Sequence, residues 1–377
     1  MARVALVGGF GDLVIKFRGP LIAELVGKGH VVDVCVPEAD STLHDGIVRG
    51  IVERGATWID VPLDRTGTSP LNEWRARRFF KRFFLTNRYD FVLAYNPKPI
   101  FHAVPAAKAA GVPVVAAMVT GLGFAFIGEG LKARLLGAVA RSLYRRSMLA
   151  ADLVFFQNPD DRATFDHAGL LPAGKRIEMI SGSGVDVSHY AVAPLSATIE
   201  APVFLMVARL LRDKGTVEFA DAARMVRREF PSARFRLVGW IDSNPAAITQ
   251  SEFDGWIREG IVEYAGRLDD VRDELAACHA FVLPSYREGT PKSVLEAMSV
   301  GRAIITTDAP GCRETVTPND NGVLVPVRDA RALADACLRL CREPHLFKQF
   351  GGRSRAIVEA RFDSRRVNAQ IMKALGL

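Results

Sequence analysis

Residues 280–298 read AFVLPSYREGTPKSVLEAM: a short apolar run, a turn rich in glycine and proline, and the start of a helix. The run from Ala280 to Pro284 predicts a buried strand, and Ser293 to Val300 predicts the helix that follows it. A strand, a tight turn and a helix in this order are typical of a parallel α/β sheet, in which ligands bind at the carboxyl ends of the strands. The segment therefore predicts both a fold class and the place of a binding site.

Two acids stand in this segment, Glu288 in the turn and Glu296 on the helix. Carboxylates that face a pocket accept strong hydrogen bonds from sugar or ribose hydroxyls. The helix N-terminus beside them favours anions, and Gly289 lets a ligand approach the backbone closely. The spacing alone also fits an exposed turn acid and an ordinary acid on a helix surface.

Alternating strand and helix signals run through the whole chain in two series, which predicts parallel sheets with helical crossovers. At 377 residues the chain is too long for one typical core. We therefore expect an α/β protein with two doubly wound, Rossmann-like domains that face a cleft. The predicted strands are 4–7, 31–36, 91–95, 112–117 and 153–157 in the first series, and 203–208, 235–238, 262–264, 281–283, 303–306 and 323–325 in the second.

The domain boundaries follow from a change of composition between the two series. Residues 188–202 are rich in Ala, Pro, Ser and Thr without a clear period, as in an interdomain linker. We expect an N-terminal domain at 1–187 and a C-terminal domain at 203–361. Residues 362–377 predict a helix that crosses back to the N-terminal domain.

The composition is that of a soluble globular protein, with 49% apolar and 24% charged residues. The five cysteines are scattered without CxxC spacing, so neither a disulfide framework nor a zinc site is indicated. The chain begins with a strand-like run and a glycine turn, which predicts no signal peptide. A reducing, cytoplasmic location fits these features.

A second loop carries two cations. In VARLLRDKG, residues 207–215, Arg209 leaves a predicted strand and Lys214 precedes the Gly215 that opens a helix. An arginine fork and a lysine point charge at the end of a strand suit a diphosphate. A solvated basic loop is the alternative for this segment alone. Together with the two acids, the loop predicts a nucleotide-sugar site, because such a ligand needs hydroxyl acceptors for its sugars and cations for its leaving group.

The chain resembles the glycosyltransferases of family 4, which have the GT-B architecture of two Rossmann-like domains. The likeness covers nearly the whole chain. It rests on ARLLRDKG (208–215), EGTPKSVLEAM (288–298), GSGVD (182–186) and GRAIITT (301–307). A narrower likeness is to bacterial enzymes that extend polyprenyl-diphosphate-linked sugars for glycans, capsule or exopolysaccharide. It rests on YNPKP (95–99), VTGLG (119–123), FQNPDD (156–161) and PGCRET (310–315).

This resemblance implies roles for four residues. Arg209 and Lys214 would hold the donor diphosphate and neutralise it as the glycosidic bond breaks. Glu296 would bind the ribose hydroxyls, and Glu288 would hydrogen-bond the transferred sugar. The implied reaction retains the anomeric configuration, and the subgroup implies a uridine diphosphate N-acetylhexosamine as donor.

The turn between the two acids is implied in donor binding as well. Backbone amides of Gly289, Thr290 and Lys292, around Pro291, would lie near the sugar hydroxyls and the phosphate. No Asp-X-Asp motif follows a predicted strand. We therefore expect no metal and no cofactor, since fixed cations and a helix N-terminus can stabilise the leaving diphosphate.

The acceptor side departs from the family pattern. Many members place a histidine where this chain has Thr120, and the nearest histidine, His102, is expected to be a satisfied helix residue, so no general base is assigned. The glycine turn at 8–11 lacks the GxGxxG dinucleotide motif, and it either lines the cleft or only packs a strand on a helix. The residues expected on the acceptor side are Gly9, Phe10, Thr120, Gly121 and Glu129.

One predicted helix indicates where in the cell the protein acts. In WRARRFFKRFF, residues 74–84, an aromatic face lies opposite a cationic face, as in a helix that lies in an anionic membrane surface. The alternative is a core helix whose aromatic face packs on the sheet. A second basic helix at 131–151 and a net charge of +7 favour the membrane, and they predict a peripheral protein on the inner face of the cell membrane. The residues of the membrane hypothesis are Arg77, Arg78, Phe79, Phe80, Lys81, Arg82, Phe83 and Phe84.

Two other classes of function fit parts of the sequence. A sugar-nucleotide epimerase has the same two-domain architecture, but it needs additional acid and base groups that the sequence does not place. A nucleic-acid-binding protein fits the basic aromatic helix and a pI near 9.3. That class leaves the paired acids and the repeated strand-helix units unexplained. The expected partners are thus a nucleotide-sugar donor, a lipid-linked acceptor and an anionic membrane, and not nucleic acid.

Overall fold

A computed structural model describes residues 1–11, 13–38, 44–64, 67, 69–122, 131–195, 199–242, 244 and 246–377, without the side chains of 131–133. The chain divides into two compact units. The first contains Met1–Ser183 together with Ser364–Leu377, and the second contains Gly184–Asp363.

The first unit is built on a seven-stranded parallel sheet. Its strands are β1 (Arg3–Val7), β2 (Val31–Cys35), β3 (Thr57–Ile59), β4 (Phe91–Tyr95), β5 (Val114–Val119), β6 (Leu153–Phe156) and β7 (Arg176–Met179). Its helices are α1 (Val14–Gly27), α2 (His44–Glu53), α3 (Pro70–Thr86), α4 (Pro97–Ala109), α5 (Leu131–Ala150), α6 (Pro159–His167) and the C-terminal helix Ser364–Leu375. The strand order is β3-β2-β1-β4-β5-β6-β7, so the winding direction reverses between β1 and β4.

The second unit has a six-stranded parallel sheet of the same kind. Its strands are β8 (Val203–Val207), β9 (Arg234–Val238), β10 (Glu263–Gly266), β11 (Ala280–Leu283), β12 (Ala303–Thr307) and β13 (Gly322–Val325). Its helices are α7 (Thr216–Glu229), α8 (Gln250–Arg258), α9 (Arg272–Ala277), α10 (Lys292–Val300), α11 (Ala330–Arg342) and α12 (His345–Ile357). The order β10-β9-β8-β11-β12-β13 reverses between β8 and β11. The prediction of two doubly wound α/β units is confirmed.

Alternation along β1 shows how the first sheet is covered on both faces. Ala5 and Val7 belong to the core that contains Phe80 of α3, whereas Val4 and Leu6 belong to the core on the opposite face. The C-terminal helix contributes Ile371 to that second core, and it contacts α1. Burial of this apolar side places the last helix in the first unit, because side chains on successive strand residues point to opposite faces and each face needs a cover.

The structure differs from the expected boundaries at the linker. The division follows residue 183, and the described parts of the segment, 188–195 and 199–202, belong to the second unit. The amide of Ala193 donates to the Val300 carbonyl at 3.2 Å, and its carbonyl accepts from Arg302 Nη1 at 2.8 Å. Arg302 is fully buried and also donates to the carbonyls of Leu275 and Ala276, both at 2.8 Å. The segment looks like a linker in composition, but backbone hydrogen bonds attach it to the second unit.

Two strands escape the sequence prediction. β3 reads TWI and β7 reads RIEM, and both lie at edges of the first sheet and are exposed or half-buried. A strand that is not buried on both faces does not need an apolar run, so the pattern that marks the central strands is missing here.

Candidate active site

The carboxyl ends of β8 and β11 define the most promising site of the second unit. These strands are neighbours at the point where the strand order reverses. Arg209 follows β8, and Glu288 follows β11. Crevices for ligands form at such switch points because the connections after the two strands leave in opposite directions.

The structure brings Lys214 and Glu288 together. Lys214 Nζ lies 2.5 Å from Glu288 Oε1, and the side chains are only 18% and 17% exposed. The carbonyl of Asp213 accepts hydrogen bonds from the Tyr286 amide at 2.8 Å and from Ser285 Oγ at 3.1 Å. The two loops are therefore joined by backbone contacts as well as by the ion pair, and the pair is shielded from water more than a surface salt bridge is.

Gly215 allows this close approach of the loops. Its φ is +75°, and a Cβ atom built there would lie 2.2 Å from the carbonyl oxygen of Pro284, at the end of β11. Only glycine adopts this conformation without strain and without a clash. The glycine that opens α7 thus sets the distance between Lys214 and the turn of Glu288.

A second glycine supports Glu288 from the other side. The Glu288 amide donates to the Pro310 carbonyl at 2.9 Å, and a Cβ atom at Gly311 would lie 2.2 Å from the Glu288 carbonyl oxygen. Gly311 has a φ of +80°. The PGC segment at 310–312, which the sequence singles out only by family likeness, therefore holds the turn that carries Glu288.

Arg209 has an acidic partner that the sequence does not predict. Its Nη1 atom lies 2.9 Å from Oδ2 of Asp242, which is 11% exposed. The other oxygen, Oδ1, accepts from the Asn244 amide at 2.9 Å. Asp242 thus orients the guanidinium. Its sequence context, among glycine, asparagine and proline, reads as an ordinary turn.

Glu296 lies on α10 and is fully buried. The phenol of Tyr190 lies near its carboxylate. Burial, and after it the charge of Glu296, raises the pKa of Tyr190. Tyr190 therefore stays protonated at neutral pH and is a second site residue that the sequence does not predict.

The turn between the two acids leads into α10. Gly289 and Thr290 are half-buried, Pro291 is buried, and Lys292 begins the helix. Lys292 Nζ donates to the Gly184 carbonyl at 3.3 Å. Since α10 begins only four residues after Glu288, the positive end of its dipole lies close to Glu288 along the chain, where it favours an anionic ligand.

Cys312 lies against the same turn and is buried. Burial, and after it the nearby charge of Glu288, raises the pKa of the Cys312 thiol to about 12. The thiol is protonated at neutral pH, so it is not a nucleophile for this site.

The acceptor-side residues lie at the corresponding edge of the first unit. The Gly9 amide donates to Oδ1 of Asn96 at 3.4 Å, and Asn96 Nδ2 donates to Thr120 Oγ1 at 3.0 Å. These residues follow β1, β4 and β5, which are adjacent in the sheet. Asn96, with a φ of +71°, connects the two predicted positions and was not predicted itself.

The structure describes three of the four remaining residues that the sequence analysis discusses on the acceptor side. Phe10 and Gly121 are half-buried next to the connected residues. Glu129 lies outside the described residues. His102 Nε2 is 2.6 Å from Oε2 of Glu73, and Lys98 Nζ is 2.7 Å from Oε1 of the same carboxylate. His102 is therefore a satisfied helix residue, as the sequence suggests.

The aromatic helix α3 is divided between core and surface. Phe80 and Phe84 are buried against the sheet, so the hypothesis that they contact a membrane is wrong. Phe79 and Phe83 are half-buried, and they line a groove of about 460 Å³ with Trp74, Arg75, Arg78 and Arg82. The cationic side is exposed at Arg77, Arg78, Lys81 and Arg82. The alternative of a core helix is thus confirmed at Phe80 and Phe84, and for the exposed part of the helix the membrane hypothesis stays a prediction.

Across the residues that the structure describes, no group of three or more His, Cys, Asp or Glu side chains is arranged to hold a metal ion. Among the helices described, none combines the length and the apolar character that crossing a membrane requires.

Comparison with known proteins identifies two domains. Residues 17–181 match the family described as glycosyl transferase 4-like domain, and residues 201–343 match glycosyl transferases group 1. The chain is 29% identical over 357 residues to the N,N'-diacetylbacillosaminyl-diphospho-undecaprenol alpha-1,3-N-acetylgalactosaminyltransferase of Campylobacter jejuni, covering 91% of this chain and 90% of that enzyme.

Solved structures share the fold over the full length. Sucrose-phosphate synthase from Thermosynechococcus elongatus superimposes with a TM-score of 0.81 at 20% identity, covering 99% of this chain and 98% of the other. HepE from Anabaena, in complex with UDP, superimposes with a TM-score of 0.76 at 19% identity, covering 99% of each chain.

Proposed function

Since the chain is a glycosyltransferase of the GT-B fold, with a 4-like domain followed by a group 1 domain, we propose that it extends a polyprenyl-diphosphate-linked saccharide. The proposed donor is a uridine diphosphate N-acetylhexosamine, and the product belongs to bacterial surface glycan synthesis. The acceptor class agrees with the name of the Campylobacter relative, which acts on a diphospho-undecaprenol sugar. The nucleotide agrees with the complex of HepE with UDP.

The observation that carries this proposal is the cluster at the switch point of the second sheet. Lys214, Glu288 and the start of α10 meet there, and Arg209 leaves the adjacent strand. Two cations and a helix N-terminus suit the diphosphate, and a carboxylate suits the sugar hydroxyls. We assign the diphosphate to Arg209 and Lys214, and the transferred sugar to Glu288 and the backbone from Gly289 to Lys292.

The ion pair suggests how the site changes when the donor binds. Glu288 forms an ion pair with Lys214, and the diphosphate of a donor would supply a second anion for the lysine. Glu288 can then turn its hydrogen-bonding capacity to the sugar. The pair keeps both side chains near their working positions before the donor arrives, which lowers the cost of ordering them.

The proposed chemistry needs no separate general base. The bond between the anomeric carbon and the distal phosphate oxygen breaks, and its electron pair leaves with uridine diphosphate. The acceptor hydroxyl forms its bond to the same face of that carbon, and its proton passes to the departing phosphate oxygen. Arg209, Lys214 and the α10 dipole stabilise the charge that develops on the phosphate. Since these groups supply positive charge, we propose that transfer proceeds without a metal.

A transfer assay tests the proposal directly. We expect thermal stabilisation by UDP-N-acetylhexosamines, and release of free UDP only when a polyprenyl-diphosphate N-acetylhexosamine is added. Mass spectrometry should show that acceptor heavier by one sugar, and chelation by EDTA should leave the rate unchanged. Interconversion of the donor sugar without an acceptor would instead indicate an epimerase and overturn the proposal.

We further propose that the first unit docks on an anionic membrane, where a lipid-linked acceptor resides. Support comes from the exposed cations of α3 and from α5, whose exposed residues include Arg134 and Arg141 beside Leu135 and Val139. Exposed cations next to exposed apolar side chains suit an interface of anionic headgroups and acyl chains.

Vesicle binding tests this part independently of catalysis. Cosedimentation with phosphatidylglycerol vesicles should fall sharply when Arg77, Arg78, Lys81 and Arg82 are changed to Glu. A control with the same change of charge replaces four exposed cations of the second unit, Arg228, Arg258, Arg331 and Lys348. Unchanged cosedimentation of the α3 variant, or equal loss in both variants, would refute a specific docking surface.

A further inference from the structure

The groove of about 460 Å³ on α3 is long and narrow, and we call it the α3 groove. Pairs of neighbouring residues from successive turns line it: Trp74 and Arg75, Arg78 and Phe79, Arg82 and Phe83, and Thr86 and Asn87. At about 1.5 Å per residue, this stretch of helix is about 20 Å long. Its volume lies within the range of about 300–1,000 Å³ that is usual for small-molecule sites. The α3 groove therefore suits one extended chain better than a compact ligand.

Aromatic rings make the lining of the α3 groove apolar and hold it in place. Phe79 and Phe83 stack with their ring centroids 5.5 Å apart and their planes at 12°. Each ring also contacts a buried ring edge to face, Phe79 with Phe80 at 5.4 Å and Phe83 with Phe84 at 5.2 Å. Because Phe80 and Phe84 belong to the core, the two stacked rings are fixed before any ligand arrives. Trp74, which is 54% exposed, adds a further apolar surface at one end.

The α3 groove also carries positive charge that the protein does not neutralise. The cations in its lining are Arg75, Arg78 and Arg82. All three are exposed, and no carboxylate of the residues that the structure describes pairs with them. The one acid of α3, Glu73, is engaged by Lys98 at 2.7 Å and by His102 at 2.6 Å. Because the planar fork of an arginine binds phosphate by paired hydrogen bonds, these cations suit a phosphorylated ligand.

We propose that the α3 groove binds the isoprenoid chain of the lipid-linked acceptor, with Arg75, Arg78 and Arg82 at its diphosphate. The proposal rests on the proposed function, which makes the acceptor a polyprenyl-diphosphate saccharide. A diphosphate between a chain and a sugar carries more negative charge than the single phosphodiester of a phospholipid, so it matches a group of arginines better. The shape agrees as well, because one side of a helix holds a single chain, whereas a phospholipid has a pair of chains.

Calorimetry with farnesyl diphosphate tests the α3 groove without a membrane, since this short polyprenyl diphosphate dissolves in water. UDP is added in excess to occupy the proposed donor site of the second unit. The double variant Arg75→Ala with Arg82→Ala should bind farnesyl diphosphate at least about tenfold more weakly than the wild type, as the loss of hydrogen bonds to a charged group implies. Both side chains are exposed, so the variant should keep the Tm of the wild type.

The matched control is Arg77→Ala with Lys81→Ala. It removes the same charge from the same helix, at exposed residues outside the lining of the α3 groove. Its affinity for farnesyl diphosphate should change by less than about threefold, because exposed charges that do not contact the ligand are screened. In transfer assays, only the Arg75 and Arg82 variant should raise the KM for the polyprenyl acceptor, and the KM for the donor should stay unchanged in both.

A second comparison tests the contact with the chain. Inorganic pyrophosphate should bind the wild type at least about tenfold more weakly than farnesyl diphosphate, because it has no apolar surface to bury. Binding of farnesyl diphosphate should shift the fluorescence emission of Trp74, and Trp74→Phe should remove that shift. Equal affinity for the two ligands would refute a groove for the chain.

The remaining outcomes separate this proposal from its alternatives and from the proposed function. Equal weakening in both double variants, or none in the Arg75 and Arg82 variant, would refute the site. Lysophosphatidylglycerol that binds as tightly as farnesyl diphosphate would assign the α3 groove to phospholipids, and a dimer that dissociates in the Arg75 and Arg82 variant would assign it to a second copy of the chain. Either result overturns the proposal. Transfer to short-chain and long-chain acceptors with equal KM would also overturn it and leave the proposed function intact, whereas farnesyl diphosphate bound in the α3 groove without transfer to any polyprenyl acceptor would overturn the proposed function but not the lipid site.

Discussion

Replacement of Gly311 by alanine should impair sugar transfer far more than it impairs folding. Gly311 contacts the turn of Glu288 through backbone atoms, and a Cβ atom there would lie 2.2 Å from the Glu288 carbonyl oxygen and 2.7 Å from that of Gly289. Backbone atoms cannot rotate away as the end of a flexible side chain can. The turn that carries Glu288 must therefore move.

The size of the effect follows from this geometry. Relief of the contact requires a shift of roughly 1 Å, and a misplacement of that size at reacting groups costs about 100-fold in rate. The left-handed backbone adds roughly 1–2 kcal/mol of strain for any residue with a Cβ atom. Overpacking adds about 1–3 kcal/mol. We therefore expect kcat/KM to fall about 100-fold and stability to fall by about 2–5 kcal/mol.

The matched control is Gly260→Ala. Gly260 also has a left-handed φ, +65°, but no atom of the described residues lies within 4 Å of a Cβ atom placed there. This variant should lose only the strain component of stability and keep its transfer rate. Acceptor-dependent UDP release measures kcat/KM, and urea denaturation measures the free energy of unfolding of both variants.

The reasoning fails if Gly311→Ala transfers sugar at the wild-type rate, because the turn of Glu288 would then tolerate displacement. It also fails if Gly260→Ala loses as much activity as Gly311→Ala. In that case a general loss of stability, and not a shift of Glu288, would explain both results.

The remaining predictions concern the two acids, a buried arginine and an ion-pair network. Glu296→Ala should mainly weaken donor binding in calorimetry, and Glu288→Ala should mainly slow single-turnover transfer; equal loss of affinity with unchanged turnover in both would contradict this division. Arg302→Leu should cost about 3–5 kcal/mol in urea denaturation, because the carbonyls of Ala193, Leu275 and Ala276 lose their donor, whereas Arg331→Leu, 75% exposed, should cost under about 0.5 kcal/mol. Burial acts to raise the pKa of Glu73, but hydrogen bonds from its two basic partners outweigh burial and lower it. The stability that Glu73→Gln removes should thus be present above the usual pKa of 4.5 and disappear as pH falls below it, and a constant difference in Tm from pH 7 to pH 3 would refute this.

The central strands could be predicted because they are buried on both faces. β1, β4, β8 and β11 are largely apolar runs, and a glycine or proline closely follows β1, β4 and β11; such runs are local patterns. The edge strand β7 is exposed or half-buried, so nothing in its sequence requires it to be apolar. The prediction therefore succeeds in the middle of each sheet and fails at the two edge strands of the first sheet.

The residues of the candidate site also fall into two groups, those that the sequence predicts and those that it does not. Arg209 and Lys214 lie in the loop that follows β8, and Glu288 and Glu296 lie in the turn and helix that follow β11, so local patterns suffice to single them out. Asp242 could not be found in this manner, because it meets Arg209 across 33 residues of sequence.

The amino-acid sequence by itself determined the two-unit α/β architecture, the family and the four charged residues in the segments after β8 and β11, since apolar periodicity and short motifs are properties of neighbouring residues. The tertiary structure alone decided which of these charges are paired. It placed Lys214 against Glu288, Arg209 against Asp242, and residues 188–195 and 199–202 on the second unit. Such pairings depend on how loops from separate strands meet at one edge of a sheet, and close approaches at glycines such as Gly311 set those distances.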